Sequence, residues 1–196
     1  EGSFVPMNYH FTTTKAHIQI NGGEIAELIN SEAMVIKSSN PFKGNIDLVK
    51  LDDFIKDKGK ENIAFIRMEA STNLIGGQPF SLENLHGVRK IADKYGLLII
   101  LDASLVGENA YLILKREKAY KNKSMKEVLI EMCSLCDIVY FSGRKVSSAR
   151  GGAICTNSQT LFDRMKHLVP LYEGFLTYGG TPMREIEAMA QGLYET

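Results

Sequence analysis

Apolar strand-like runs alternate with amphipathic helical stripes along this chain, which predicts an α/β fold with a mainly parallel sheet. Three observations carry the expectation. Residues 97–101 (LLIIL) form an unbroken apolar run, as a strand covered on both faces requires. Just before it, Leu82, Leu85, Val88, Ile91 and Ala92 recur at helical spacing. Residues 137–141 (DIVYF) repeat the strand signal after a second helical stripe.

Taken in order, residues 62–69 (NIAFIRME) read as a buried strand. Residues 81–95 are the first clear helix, with Gly96 as its stop. The strand over residues 97–101 ends at Asp102, and a helix is expected over residues 108–118. Another helix starts at Ser124, where Ser-Met-Lys-Glu makes a capping box. Its stripe is Met125, Val128, Leu129, Met132 and Leu135. Residues 137–141 and 152–155 are further strands. Gly151-Gly152, so soon after Phe141, leaves room for the second to run the other way. A helix is expected over residues 161–168. A last one follows Thr181, with Pro182 in the favoured first position, and no stop signal ends it before residues 192–196.

The bulk composition narrows the function classes. A chain of 196 residues with 44% hydrophobic and 23% charged residues is an ordinary globular one that can bury a sizeable core. Lys plus Arg equals Asp plus Glu at 23 each, which argues against a nucleic-acid or membrane surface. Without a signal peptide or a bilayer-length apolar run, the chain reads as cytoplasmic. Cys133 and Cys136 form a C-x-x-C inside a helical stripe, with no second pair and no nearby His. They read as small core residues, and with Cys155 they make no disulfide framework. His10, His17, His86 and His167 have no metal-ligand spacing. Asn122-Lys123-Ser124 fits the glycosylation pattern by chance. The dinucleotide, phosphate-loop, zinc-protease and nucleophile-elbow motifs are absent.

In parallel sheets chemistry gathers at the carboxyl ends of the strands. That directs attention to the residues after Glu69, to Asp102, and to Ser142-Gly143-Arg144-Lys145. Asp102 ends an apolar strand, where an unpartnered carboxylate is costly. A helix N-cap and a functional acid both fit it. Lys145 follows another apolar strand beside Arg144. It reads either as a solvated turn lysine or as a nucleophilic amine in a low-dielectric, cationic setting.

Longer motifs add a resemblance. They are Phe11-Thr12-Thr13-Thr14, Phe42-Lys43-Gly44-Asn45-Ile46-Asp47-Leu48, Asn73-Leu74-Ile75-Gly76-Gly77-Gln78-Pro79 and Asp102-Ala103-Ser104. Glu108-Asn109-Ala110-Tyr111, Ser142-Gly143-Arg144-Lys145, and Tyr172-Glu173-Gly174 with Tyr178-Gly179-Gly180 follow. Nearly end to end, the chain resembles the aromatic amino-acid β-eliminating lyases, tyrosine phenol-lyase and tryptophanase. The resemblance implies the three-layer α/β/α large domain of a fold-type-I pyridoxal-phosphate enzyme. It makes residues 1–196 that large domain, with an N-terminal segment and a C-terminal small domain lying outside it.

What the resemblance implies for the site is specific. Lys145 matches the lysine that forms the Schiff base, and Asp102 the acid paired with the pyridinium nitrogen. Phe11 matches the ring stacked on the cofactor, Asn73 an amide near its phenolic oxygen, and Ser142 a hydroxyl on its phosphate. Thr12 matches a residue on the substrate side. Arg144 stands beside the cofactor lysine where the family has a second Lys. The implied reaction is β-elimination on an amino acid of tyrosine or tryptophan type, giving pyruvate and ammonia, in a homo-oligomer with a monovalent cation, K+. A carbon–sulfur lyase acting on cysteine derivatives and a non-catalytic homologue are the alternatives. Besides Arg144, three positions depart from the family pattern: Leu105 and Lys15 each replace an Arg, and Val146 replaces an Asp. The family's main phosphate loop lies before residue 1 and its substrate-carboxylate Arg after residue 196.

Overall fold

The computed structural model describes residues 2–175 and 179–195; Leu176, Thr177 and the Tyr178 of the last motif lie outside them. The strands are β1 (Phe4–Met7), β2 (Glu24–Glu27), β3 (Ile66–Glu69), β4 (Ile99–Asp102), β5 (Ile138–Ser142) and β6 (Gly152–Cys155). They form one sheet in the order β2-β1-β3-β4-β5-β6. Every neighbouring pair is parallel except β5 and β6, which are antiparallel with Ser142 opposite Gly152. The reversed strand allowed by Gly151-Gly152 is therefore present.

All four residues of β3 are buried. Successive strand side chains point to opposite faces, so both faces of the sheet centre are covered. Ile66 and Met68, with Ile99 and Leu101 of β4, face an apolar core. That core is completed by Leu82, Leu85 and Val88 of α3 (Leu82–Tyr95), Ala110 and Ile113 of α4 (Val106–Arg116), and Val128 and Met132 of α5 (Met125–Ser134). Each of these side chains larger than that of Ala110 contributes about 1.5–3 kcal/mol on full burial. The other face is polar at its carboxyl end. Arg67 and Glu69 share it with Asp102 and Tyr140, because Glu69 is in register with Asp102 and Asp102 with Tyr140.

The helix signals read from the sequence act where expected. The Ser81 hydroxyl accepts from the Asn84 N–H at 3.1 Å and caps α3. Gly96 closes that helix at φ 70°, a left-handed conformation that costs glycine little. Ser124 and Glu127 make the reciprocal capping box of α5. Pro182 differs from the expectation by one place, standing just before Met183, the first residue of α9 (Met183–Glu195).

Several boundaries differ. α4 begins at Val106, two residues before the expected start, because Val106 is itself buried in the core. β3 begins only at Ile66, although Ile63 still bridges Phe4. The helix expected over residues 161–168 is two helices, α7 (Gln159–Met165) and α8 (Leu168–Tyr172). Pro170 explains the break: its ring would meet the carbonyl four residues back in a continuous helix, but fits the first turn of a new one. Elements not anticipated are β1, β2, α1 (Thr12–Ile20), α2 (Leu48–Lys58) and the single turn α6 (Gly143–Val146).

Candidate active site

A cleft of about 330 Å³ opens at the carboxyl ends of β1, β3, β4 and β5. It includes the point where the chain, having placed β2 on one side of β1, places β3 on the other. That is where ligands bind in open α/β sheets. Its walls are Phe11, Thr13 and Thr14 from the start of α1, Ala70 and Asn73 after β3, and Ser104 and Leu105 after β4. Ser142, Lys145 and Gly151 close it after β5, and Glu69, Asp102 and Tyr140 form its floor.

The loop after β3 is held from two sides. The buried Asn8 amide donates to the carbonyls of Gly44 and Glu69, each at 3.0 Å, and its oxygen accepts from the Glu69 N–H. The buried Asn109 oxygen accepts from the Ser71 and Phe80 N–H groups. Lys145 is carried by α6, directly after β5. Gly143 opens that turn and is packed so closely that a Cβ there would lie 2.9 Å from the Ala149 carbonyl oxygen. The Gly143 N–H donates to the Gly151 carbonyl at 2.8 Å, which closes the loop back to β6. The Lys145 amine lies 5.1 Å from the centroid of the Phe11 ring.

The floor is an ion cluster. Arg67 Nη2 contacts Asp102 Oδ2 at 2.6 Å and Glu69 Oε2 at 2.9 Å. Arg67 Nε donates to the Tyr140 hydroxyl, and Nη1 to the Tyr9 carbonyl, each at 3.0 Å. The Tyr140 hydroxyl donates to Asp102 Oδ2 at 3.0 Å, and the Ser104 N–H to Oδ1 at 3.1 Å. Arg67 is 1% exposed and Asp102 6%. Burial pulls the guanidinium's pKa down, but Tyr140, Glu69 and Asp102 more than offset it and hold it above its ordinary value. Burial, reinforced by Asp102 and opposed by Arg67, pushes the Tyr140 phenol up to about 12.

Phe11, Asn73, Asp102, Ser142 and Lys145 all line this one cleft. Thr12 and Arg144 are exposed and stand outside its lining, next to residues that form it. Lys145 is exposed, so the low-dielectric setting considered for it from the sequence is not supplied by this chain. Asp102 is not the N-cap of α4; that position is Leu105, whose side chain caps nothing. The carboxylate's partner is Arg67 instead. Sequence reasoning missed Arg67, Glu69 and Tyr140. Opposite charges two residues apart in a strand read as wholly buried share one face and need each other; that pattern was the available signal.

The cysteines line a different, more apolar hollow of about 510 Å³. Burial pushes the thiols of both Cys133 and Cys136 up, which disfavours the thiolate needed for redox or metal chemistry. Among the described residues, no group of three or more His, Cys, Asp or Glu is arranged to hold a metal. No helix among them is long and apolar enough to cross a membrane.

Residues 5–193 match the beta-eliminating lyase family. The chain belongs to that family. It is 41% identical over 196 residues to a tyrosine phenol-lyase from Nostoc punctiforme, covering 100% of this chain and 42% of the relative. It is 42% identical to a tyrosine phenol-lyase from Fusobacterium nucleatum, covering 100% of this chain and 43% of that protein. This β-eliminating-lyase-family chain thus spans less than half the length of the relatives it matches. A solved structure from Exiguobacterium sp. 255-15, described as an aromatic amino acid beta-eliminating lyase/threonine aldolase, superposes with a TM-score of 0.63. Identity is 16%, over 99% of this chain and 47% of that one. A structure from Listeria monocytogenes described as an L-allo-threonine aldolase gives 0.62 at 18% identity, over 98% of this chain and 46% of that one. At those identities the likeness is one of fold, the fold-type-I architecture expected from the resemblance.

Proposed function

We propose that the intact protein holds pyridoxal 5′-phosphate in this cleft and uses it to eliminate a Cβ substituent from an amino acid of tyrosine or tryptophan type, releasing pyruvate and ammonia. The observation that carries the reading is the meeting of Lys145, Asp102 and Phe11 on one cleft at the carboxyl edge of the sheet. The residues present suit the group. A buried carboxylate faces the cleft for a protonated ring nitrogen, an amine for the aldehyde, an aromatic ring for stacking, and the Ser142 hydroxyl for a phosphate oxygen. The volume lies at the lower end of the roughly 300–1,000 Å³ typical of small-molecule sites.

When bound, the cofactor supplies an electron sink for the pair left at Cα as its proton departs. The chain's own residues do the rest. Lys145 would hold the cofactor through its amine and, when that amine is free, would take the proton from Cα. Asp102 keeps a proton on the ring nitrogen and so keeps the ring electron-poor. Phe11 fixes the ring plane, Asn73 reaches its phenolic oxygen, and Ser142 donates to phosphate. Thr12 and Arg144 flank the site, Thr12 on its substrate side and Arg144 beside the cofactor lysine. Residues 1–196 are then the large domain of a longer, cytoplasmic homo-oligomeric enzyme, whose K+ ligands lie largely outside this chain. Borohydride reduction of the cofactor-loaded intact protein, followed by peptide mapping, should label Lys145. Label on another lysine, with none on Lys145, would sink the assignment.

A second reading rests on Leu105. Its half-buried side chain lines the cleft and has no hydrogen-bond donor where the family pattern has an Arg. A phenol or indole needs ring protonation and a finely tuned carbanion to leave, whereas a thiolate needs less help. This favours S-substituted cysteines as substrates. Pyruvate release from tyrosine, tryptophan and an S-substituted cysteine should be compared, before and after Leu105→Arg. A tenfold kcat/KM preference for tyrosine or tryptophan in the native protein, about 1.4 kcal/mol, would rule this reading out.

A further inference from the structure

We propose that Arg67, Glu69 and Tyr140 are positioning residues that fix the Asp102 carboxylate in one orientation and leave the cleft floor with one negative charge in excess, so that the floor selects a ligand ring carrying positive charge. This rests on the cofactor reading above and extends it to residues which that reading does not use.

The geometry assigns each residue a part. Arg67 bridges two buried carboxylates through a single nitrogen, Nη2, at 2.6 and 2.9 Å. One guanidinium facing Glu69 and Asp102 leaves one negative charge over. Tyr140 accepts from Arg67 Nε and donates to Asp102 Oδ2, so Oδ2 carries two donors and is saturated. Oδ1 accepts the Ser104 N–H and keeps one lone-pair direction for a further donor. Glu69 ties the floor to the cleft wall as well, because its Oε1 accepts from the Asn73 N–H at 3.0 Å. Among the described lining residues Lys145 is the one cationic side chain, and its amine lies over Phe11. A neutral ring at the floor leaves the excess charge buried and uncompensated, which is costly. A ring that brings its own N–H and positive charge satisfies both the open lone pair and the charge.

The test uses the intact protein with Glu69→Gln and Tyr140→Phe, both close to isosteric. Two ligands are titrated by fluorescence: pyridoxal phosphate, and its analogue with carbon in place of the ring nitrogen. Both variants should bind pyridoxal phosphate about tenfold more weakly, equivalent to about 1.4 kcal/mol, and the carbon analogue within about twofold of the native protein. Glu69→Gln should also lower the pH at which the absorbance of the bound cofactor changes, because its ring proton is held less firmly. Equal losses for both ligands would mean a merely structural role and would overturn the inference. So would native affinity for pyridoxal phosphate in both variants, while leaving the cofactor reading intact. A native protein that binds no pyridoxal phosphate would overturn that reading and the inference with it.

Discussion

Arg67 is a buried cation with four hydrogen-bonding contacts, and the stability of the cleft floor turns on it. Replacing it with methionine leaves Glu69 and Asp102 side by side without a counter-charge. Breaking a buried pair in that way costs roughly 3–5 kcal/mol. Asp102→Asn is a different perturbation. It removes the excess charge, leaves Arg67 balanced by Glu69, and keeps an oxygen that can accept from Nη2. It should cost about 1–2 kcal/mol, near the net value of a hydrogen bond. Urea unfolding of the two variants at neutral pH checks the order, and an Asp102→Asn loss equal to that of Arg67→Met would contradict it. Asp102 and Lys145 were legible as candidates because each lies at or just past the end of an apolar strand, where ligands bind in open α/β sheets. Arg67 was not, because it sits in the hydrophobic run of residues 62–69 and its partners Glu69, Asp102 and Tyr140 lie on three strands.

Among whole elements, legibility followed burial. α3 and α5 each bury a stripe against the sheet and carry a cap that local chemistry specifies, so pattern and boundary were both readable. α1 and β2 bury no residue completely, and Pro6 interrupts β1, so neither a stripe nor an alternation marks them. The α5 cap gives a pH prediction. Glu127 accepts from the Ser124 N–H at 2.7 Å and from the Ser124 hydroxyl at 2.9 Å. The Ser124 backbone contact foremost, then its hydroxyl and Lys123, hold the Glu127 carboxyl at about 2, below its ordinary 4.5. A folded-state pKa below the unfolded one means the folded state binds fewer protons over that interval. Its stabilising contribution is complete above about pH 4.5 and is lost as pH falls through about 2. Thermal unfolding between pH 5 and 2 should therefore show a shallower acid decline for Glu127→Gln than for the native chain; parallel declines would refute this. Ser124→Ala should lower stability at neutral pH by about 1 kcal/mol, the usual worth of an N-cap.

Across the whole molecule, the sheet order brings four strand ends together, and this juxtaposition could not be read from any one segment. Residues from after β1, β3, β4 and β5 share one cleft only because β2 lies outside β1 and β3 lies inside it. The same arrangement sets how firmly these 196 residues hold a phosphorylated cofactor by themselves. Such a cofactor brings a phosphate of nearly two negative charges. The cleft floor already carries one in excess, and Lys145 is the one cation among the described lining residues. Hydroxyls such as those of Thr13, Ser104 and Ser142 can donate to phosphate but cannot neutralise it. Held through stacking, the lysine and a few neutral donors, pyridoxal phosphate should bind the isolated chain with a dissociation constant on the order of 0.1–1 mM, about 4–5.5 kcal/mol. Raising the salt should change that affinity little, because a single cation among the described lining residues, Lys145, faces the phosphate and there are few charges to screen. Equilibrium dialysis with absorbance detection measures it directly. Stoichiometric retention at micromolar concentration would show that the cleft possesses phosphate-neutralising groups beyond those that line it here.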